Sequence, residues 1–428
     1  MRILYFVQYF NLPHEPGGSR PYQFARAWTQ AGHEVTVVTG AVNHKTLSVP
    51  ERYRGKLVAE EDVDGIRLLR VWSYAGIRGS FKKRLLNFGS YAASAALVGL
   101  FKGGRPDLVY ASTTPLLVGL PGVVTSHWRN VPFVFEVRDL WPQSAVVAGI
   151  LRPDSLGTRL AAGLARYFYD SAARCVAVTQ GIADGLHSEG QAREKLLFVP
   201  NGVDDWMVDA ARRGAAPRRE TGDFEIVYCG AHGKWNGLGQ VLDAARLVQE
   251  DPSIHFRFIG DGDEREALMN RAQQEGLSRC RFEGAIPKQA AFEAIRSAGA
   301  SVVVTWAHPF QRMVLANKIF DYLAAGRPVI VAAEGEMKTL VDDARCGITV
   351  RPEQPQELAA AIRRMAALSA TERDAMGQRG QNYILERYQR ADLADRLLTE
   401  FAKLTGQPAR LRPRTTAADA PRPQTVRS

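Results

Sequence analysis

Short apolar runs alternate with helix-length segments along this chain of 428 residues, and the alternation occurs twice. In the first half, the apolar runs are Ile3–Val7, Val35–Thr39, Ile66–Val71, Leu108–Ala111, Phe133–Val137, Cys175–Val178 and Leu197–Val199. In the second half, they are Glu225–Cys229, His255–Ile259, Arg281–Glu283, Ser301–Thr305, Val329–Val331 and Ile348–Val350. Continuous apolar strands separated by helices are typical of parallel sheets covered on both faces. The sequence therefore predicts an α/β fold with two doubly wound parallel sheets.

A break in this pattern divides the chain into domains. Residues 204–223 contain Gly, Pro, several Ala and many charged residues but no strand pattern, so we predict a linker there. The expected domains are residues 1–203 and 224–382, within the two or three domains that such a length suggests. The helical segment 383–404 follows the second sheet and could pack on either domain. Residues 405–428 are rich in Pro, Thr and Arg and are predicted to be a disordered tail.

Positive charge is concentrated in two places. The chain has 55 Lys and Arg against 45 Asp and Glu, a formal net charge of +10. Residues 405–428 carry five Arg and one Asp, and a second cluster contains Arg78, Lys82, Lys83 and Arg84. Nucleic acid or an anionic membrane surface would attract such clusters. Because the rest of the chain is nearly neutral and has no nucleic-acid-binding motif, the membrane surface is favoured.

Cysteine spacing and hydropathy predict the compartment. The four cysteines, at positions 175, 229, 280 and 346, form no Cys-x-x-Cys motif, so neither a disulfide framework nor a zinc site is expected. Ile3–Val7 is too short for a secretory signal, and Leu85–Phe101 is too short and too polar for a membrane-spanning helix. We expect a cytoplasmic protein in a reducing compartment, either free or peripheral on the inner face of the plasma membrane.

Ligands of open α/β sheets bind at the carboxyl ends of the strands, and the first such loop contains two glycines. Gly17 and Gly18 precede a helix, with Ser19 as a candidate cap. The dinucleotide motif Gly-x-Gly-x-x-Gly is absent. The glycines would let the backbone approach a phosphate at the helix start. A flexible turn before the helix is the alternative interpretation.

Arg138 and Asp139 follow the fifth apolar run of the first half. The guanidinium of Arg138 could hold a phosphate or a sugar carboxylate, and Asp139 could accept a hydrogen bond from a sugar hydroxyl. The alternative interpretation is an internal ion pair that closes the end of the strand. Both interpretations remain open at the level of the sequence.

The second half places a glycine-rich loop between its first strand and the following helix. Gly230, His232 and Lys234 in this loop form a candidate diphosphate cradle. Gly260 repeats the strand–glycine–helix arrangement, which commonly means only a tight turn. Glu283-Gly284 ends the next strand and could present backbone groups to a nucleobase.

The strongest local signal is the segment that begins at Asn317. Lys318 and Asp321 are three residues apart and lie on one side of a predicted helix that ends at Gly326. Asp321 could bind a ribose diol while Lys318 contacts a phosphate. A surface ion pair between these two residues is the alternative.

Taken together, these motifs resemble those of a known enzyme family. They are Gly17-Gly18, Asn201-Gly202-Val203-Asp204, the loop from Gly230, Gly260-Asp261-Gly262 and Phe320-Asp321-Tyr322-Leu323-Ala324-Ala325-Gly326-Arg327-Pro328-Val329. Their order and spacing resemble retaining glycosyltransferases of family 4 over essentially residues 1–404. Residues 136–142 and Asn317-Lys318 resemble the branch that builds O-antigen, capsule or colanic-acid-like polysaccharides, which includes fucosamine transferases. The resemblance implies the GT-B fold, in which two Rossmann-like domains face each other across a cleft.

The resemblance also implies a reaction. A UDP- or GDP-linked sugar would bind mainly to the second domain, with its base near Glu283-Gly284 and its ribose on Asp321. Neither a metal nor a cofactor would be needed, and the anomeric configuration would be retained. The acceptor would be a polyprenyl-diphosphate-linked glycan on the first domain, with residues 78–101 against an anionic membrane. The residues expected to act in catalysis are Arg138, Asp139, Lys234 and Lys318; those expected to bind the donor are Gly17, Gly18, Gly230, His232, Gly260, Glu283, Gly284, Asn317 and Asp321.

The sequence departs from the family pattern at three positions. The first acid of the family's acidic motif is replaced by Met313, and the usual Arg and Lys of the phosphate loop are replaced by Ala231 and Asn236. Charge for the diphosphate would then come from Lys234, Lys318 or Arg138, or from backbone amides. Two other functions remain alternatives: a nucleotide-sugar 2-epimerase of the same fold, which would need no acceptor, and a basic nucleic-acid-binding protein.

Overall fold

The computed structural model describes residues 1–12, 15, 18–43, 48–75, 81–214 and 223–412. The predicted site residue Gly17, the basic residue Arg78 and most of the tail lie outside this part. The strands are β1 Arg2–Val7, β2 Glu34–Gly40, β3 Val58–Val63, β4 Ile66–Val71, β5 Leu108–Ser112, β6 Phe133–Val137, β7 Arg174–Ala177, β8 Leu196–Phe198, β9 Phe224–Cys229, β10 Ile254–Ile259, β11 Cys280–Glu283, β12 Ala300–Val304, β13 Val329–Ala332 and β14 Gly347–Val350.

Helices connect nearly all of these strands. They are α1 Arg20–Gln30, α2 Phe81–Phe101, α3 Gly119–Arg129, α4 Gln143–Val147, α5 Leu156–Ser171, α6 Gln180–Ser188, α7 Asp205–Arg212, α8 Gly239–Leu247, α9 Arg265–Gln274, α10 Lys288–Ser297, α11 Asn317–Ala324, α12 Glu336–Ala344, α13 Pro355–Ala367, α14 Ala370–Arg387 and α15 Arg390–Thr405. No helix in the described part of the chain is long and apolar enough to cross a membrane.

The strands form two sheets, as the two blocks of apolar runs predict. The first has the order β3-β4-β2-β1-β5-β6-β7-β8, and the second has the order β11-β10-β9-β12-β13-β14. All neighbouring strands are parallel except β3 and β4. The central strands β5, β6, β12 and β13 are buried along their whole length, because helices cover both faces of each sheet.

The first sheet has a different set of helices on each face. Helices α2, α3, α5 and α6 contribute buried side chains such as Tyr91 and Phe168 to one face. Helices α1 and α15 cover the other face, where Trp28 and Phe401 are fully buried and their ring centroids are 5.3 Å apart. The last described helix therefore completes the core of the first sheet.

Three elements differ from the sequence-based expectation. Strand β3 was not predicted, because its sequence contains three consecutive acids and it lies half-exposed at the sheet edge. The predicted linker 204–223 contains helix α7, whose Met207 and Val208 are buried in the second domain. The predicted helical segment 383–404 is interrupted at Tyr388, between α14 and α15.

Replacing Phe401 with Ala is expected to destabilise the first domain, although the residue lies some 200 positions after that domain's last strand. Loss of a buried Phe side chain typically costs about 3–5 kcal/mol. Denaturant unfolding followed by circular dichroism measures the change. The matched control is Arg396→Ala on the exposed side of the same helix. Equal stability of the two variants would show that α15 adds little to this core.

Candidate active site

The carboxyl ends of the two sheets face each other. Helix α6, which follows β7 of the first sheet, contacts helix α12, which follows β13 of the second. Ser19, in the loop after β1, contacts Asp204 where the chain crosses to the second domain. The loops predicted to bind ligands therefore line one cleft between the domains.

Backbone hydrogen bonds connect the three predicted donor-binding loops of the second domain. The His232 amide donates to the Asp261 carbonyl at 2.9 Å, and the Gly260 amide donates to the Glu283 carbonyl at 3.3 Å. A Cβ on Gly260 would lie 1.9 Å from the carbonyl oxygen of Gly230, so this approach requires glycine. The structure thus brings together Gly230, His232, Gly260 and Glu283.

Lys318 reaches this loop from α11. Its Nζ donates to Asn236 Oδ1 at 2.7 Å and to the Tyr228 hydroxyl, and lies 4.2 Å from the centre of the Tyr228 ring. A Cβ on Gly230 would lie 3.2 Å from this Nζ, so glycine leaves room for the lysine. No carboxylate in the described part of the chain pairs with it. Burial lowers the pKa of Lys318 to about 7, because no negative charge among the described residues offsets the cost of removing its ammonium group from water.

His232 is a second uncompensated polar group in the same loop. The side chain is fully buried beside Tyr228, Phe258 and Phe282, and neither ring nitrogen has a hydrogen-bond partner among the described residues. Burial is the main cause that lowers its pKa to about 4. The ring is therefore neutral near pH 7 and retains both a donor and an acceptor nitrogen.

Asp321 lies one turn beyond Lys318 on α11. Burial raises the pKa of its carboxyl group, and the nearby Lys288 opposes this shift. The described residues offer its carboxylate no hydrogen bond, and the ion pair with Lys318 that was the alternative interpretation is not formed. Both charged groups are thus available to a ligand.

The other predicted residues of the second domain lie around this centre. The Glu283 carboxylate pairs with Arg257 at 2.9 Å and Arg281 at 3.0 Å. Gly284 and Asn317 are exposed. Lys234 is also exposed, and its Nζ lies 5.7 Å from the ring centre of Trp306, separate from the contacts of Lys318.

The first-domain wall of the cleft contains Gly18, Arg138 and Asp139. Gly18 is exposed beside α1, and the Arg138 amide donates to Thr113 Oγ1 at 2.8 Å. Burial raises the pKa of Asp139, and Arg138 opposes the shift. The two side chains form no ion pair in the described contacts, so the structure gives no support to the alternative of a closed strand end.

The buried ion pair of this wall is formed by two residues that the sequence analysis missed. Arg20 Nη2 donates to Glu136 Oε2 at 2.8 Å, and both side chains are almost fully buried. Tyr110 and Ser112 donate to the same carboxylate, each at 2.6 Å. A lone acid in the apolar run 133–137 was the signal that could have revealed the pair, because a buried carboxylate requires a partner.

A second missed cluster lies where the chain crosses between the domains. Asp204 accepts from Ser19 at 2.8 Å and from Lys288 at 2.6 Å, and also pairs with Arg390. Burial alone would raise the pKa of the Asp204 carboxyl group, but the positive charges of Arg390 and Lys288 lower it to about 2. The side chain of Ser19 was expected to cap α1, but it makes no capping hydrogen bond. It contacts Asp204 instead, at the crossing between the domains, which is here called the hinge.

Glu336 forms another contact between the domains. Its carboxylate accepts from the backbone amides of Gln180, at 3.0 Å, and Gly181 at the start of α6. Met313, which replaces the family's first acid, lies against the same Gly181. This position has thus become an apolar contact between the domains. Nothing in the local sequence around Glu336 indicated the contact.

Comparisons with known proteins agree with this geometry. Residues 17–202 match the glycosyl transferase 4-like domain, and residues 223–367 match the glycosyl transferases group 1. The fold is similar to that of sucrose-phosphate synthase from Thermosynechococcus elongatus, with a TM-score of 0.73 over 95% of this chain and 100% of that one at 17% identity. The protein is a GT-B glycosyltransferase. The predictions of the GT-B fold and of a transferase are therefore confirmed.

Relatives of this glycosyltransferase include bacterial enzymes. It is 24% identical to the glycosyltransferase WbjE of Pseudomonas aeruginosa over 66% of the chain and 74% of WbjE. It is 26% identical, over 80% of the chain and 86% of the relative, to WcaI of Escherichia coli, which is named as a colanic acid biosynthesis glycosyl transferase. HepE of Anabaena, solved with UDP-glucose, shares the fold with a TM-score of 0.66 at 18% identity, over 94% of this chain and 100% of HepE. None of these matches favours the epimerase.

Replacing Glu336 with Gln in the glycosyltransferase should loosen the bridge to α6. Hydrogen bonds to a charged group contribute about 1.5–3 kcal/mol, so the amides of Gln180 and Gly181 should exchange hydrogen roughly 10- to 150-fold faster. Hydrogen exchange read by mass spectrometry tests this. Glu334→Gln is the control, since Glu334 pairs with Arg312 of its own domain. Equal exchange rates in the two variants would contradict the bridge.

Proposed function

We propose that this glycosyltransferase is a retaining enzyme that transfers a hexosyl or N-acetylhexosaminyl group from a UDP- or GDP-linked sugar. The observation that carries the proposal is the ammonium of Lys318, which lies in the cleft with only neutral partners. A half-buried cation without a carboxylate is suited to an anionic ligand. The diphosphate of a nucleotide sugar supplies such charge, and HepE, with the same fold, was solved with UDP-glucose.

The proposed donor position follows from the groups around Lys318. The diphosphate contacts Lys318 and the loop of Gly230. The neutral ring of His232, in the same loop, offers a further hydrogen bond. Asp321 binds the ribose hydroxyls from the same helix as Lys318. The base lies at the backbone of Glu283-Gly284, while Gly18 and Asn317 flank the donor.

The chemistry assigned to these residues is stabilisation of the departing nucleoside diphosphate. As the glycosidic bond breaks, negative charge grows on the β-phosphate, and Lys318 and the loop amides stabilise it more strongly in the transition state. Attack from the same face, with the leaving phosphate assisting removal of the acceptor proton, retains the anomeric configuration. Arg138 and Lys234 add positive charge as the domains close, and Asp139 accepts a hydrogen bond from a sugar hydroxyl. No metal or cofactor takes part.

The proposed acceptor is a polyprenyl-diphosphate-linked glycan in the synthesis of bacterial surface polysaccharide. The similarity to WcaI, named for colanic acid biosynthesis, supports this pathway. The exposed Lys82, Lys83 and Arg84 at the start of α2 support a position at the cytoplasmic face of an anionic membrane.

Substitution of Lys318 by Met should abolish most of the donor affinity. Charge-assisted hydrogen bonds of about 1.5–3 kcal/mol predict binding of a UDP- or GDP-sugar that is roughly 10- to 150-fold weaker. A thermal-shift panel of nucleotide sugars identifies the donor, and calorimetry then compares the variants. Lys338→Met is the matched control, because Lys338 is exposed and pairs with Asp342. Absence of any shift with the natural protein would refute the proposed donor.

Donor binding should also depend on pH through Lys318. With a pKa of about 7 in the free protein, this lysine is largely neutral above pH 7, and an anionic diphosphate raises its pKa again. Affinity is therefore greatest below pH 7 and falls as the pH rises above it. Calorimetry at pH 7.5 in buffers of different ionisation enthalpy should detect proton uptake. The uptake should vanish in Lys318→Met and persist in Lys338→Met.

A further inference from the structure

Exposed apolar side chains are concentrated on three helices of the first domain. Of the sixteen large apolar residues that are exposed in the described part of the chain, ten lie on α2, α3 and α5. Trp128 is 71% exposed, Leu156 is 73% exposed and Phe101 is 79% exposed. The ten residues, here called the lipid face, are Leu85, Leu86, Leu97, Phe101, Leu120, Val124, Trp128, Leu156, Leu160 and Tyr167.

The three helices form one continuous surface. Arg129 at the end of α3 donates to the Leu100 carbonyl of α2 at 2.5 Å. A Cβ on Gly119 of α3 would lie 2.4 Å from the Phe168 ring of α5, so glycine allows these two helices to approach closely. All three helices pack on the same side of the first sheet. Their outer sides are therefore neighbours.

The exposed residues follow the helical repeat. Leu120, Val124 and Trp128 are spaced by four residues, and Leu156 and Leu160 have the same spacing. Such residues form a stripe along one side of a helix. Since the buried residues of each helix face the sheet, the apolar stripes of α3 and α5 are additional to the core and need a different partner.

The charge on these helices identifies the partner. Their sequences contain six basic residues and one acid, Asp170, which already pairs with Arg166 at 3.7 Å. Lys82, Lys83 and Arg159 are exposed beside the apolar stripes. An apolar surface with basic residues and almost no acids complements a leaflet of anionic lipids, where the chains accept the apolar groups and the headgroups accept the cations.

The orientation of the helices relates this surface to the cleft. Helix α3 follows β5, and α2 and α5 precede strands β5 and β7, so all three begin at the carboxyl edge of the first sheet. The cleft lies at that same edge. A membrane against the lipid face would therefore reach the cleft near Lys82, Leu120 and Leu156.

We propose that the lipid face, formed by α3 and α5 together with α2, docks on the surface of an anionic bilayer. This goes beyond a contact of α2 alone and rests on the proposed function, because a lipid-linked acceptor would enter the cleft directly from that leaflet. The contact is with the lipid surface and does not cross the bilayer, since no helix in the described ranges is long and apolar enough to do so.

Flotation of the full chain with vesicles tests the proposal. Vesicles contain equal amounts of phosphatidylglycerol and phosphatidylcholine, and phosphatidylcholine alone provides the comparison. The natural protein should float with the anionic vesicles at low salt and less at high salt. The double variant Trp128→Ser/Leu160→Ser should reduce the bound fraction at limiting lipid roughly tenfold or more. The control, Leu57→Ser/Met269→Ser, removes exposed apolar residues elsewhere and should bind normally.

Three results would overturn the inference. The first is normal flotation of Trp128→Ser/Leu160→Ser when Lys82→Gln/Lys83→Gln/Arg84→Gln fails to float, which would restrict the contact to α2. The second is equal binding by the control and the test variant. The third is no flotation of the natural protein with the anionic vesicles at low salt. A dimer, seen by sedimentation, that Trp128→Ser/Leu160→Ser dissociates would then identify a second copy of the chain as the partner. Donor binding is measured separately, without lipid, because the donor site does not involve the lipid face. Normal donor binding together with any of these three results would overturn the lipid contact and leave the proposed function standing.

Discussion

The buried ion pair between Arg20 and Glu136 determines how the parts of the cleft are arranged. Arg20 begins the first helix, Glu136 belongs to a central strand, and the guanidinium also donates to the carbonyls of Val199 and Pro200. The start of α1, strand β6 and the segment that follows β8 therefore meet at the guanidinium group of Arg20. Removing one member of such a pair costs about 3–5 kcal/mol, because the other is left buried and uncompensated. The loop of Gly18, the first-domain wall and the crossing to the second domain consequently have fixed relative positions.

The two domains are joined by two contacts of different character. At the hinge, Asp204 is surrounded by Arg390, Lys288 and Ser19, and the chain crosses twice, with Val203 paired to Gln389. At the start of α6, a single carboxylate, that of Glu336, accepts from two backbone amides. The hinge has the larger number of charged partners. The contact at Glu336 should therefore break more easily than the hinge when the domains move apart.

Elements that depend on local patterns could be predicted from the sequence, whereas contacts between distant segments could not. The strands of both sheets follow from apolar runs, and Lys318 and Asp321 were singled out by their helical spacing. Strand β3 was missed because an exposed edge strand needs no apolar run. The contact of Lys318 with Tyr228 spans 90 residues, and that of Asp204 with Arg390 spans 186, so neither has a local signal. Glu136 was visible in the sequence, but its partner was not.

Helix α15 gives the folding of this chain a particular order. It covers one face of the first sheet, yet every residue of the second domain is synthesised before it. On the ribosome, α1 alone covers this face of the first sheet while the second domain folds. The core of the second domain is formed by a continuous stretch of chain, so it can fold before α15 is made. The second domain is in this sense an insertion between the body of the first domain and its final helix. Truncated or prematurely terminated chains would therefore expose the side of the first sheet that α15 normally covers.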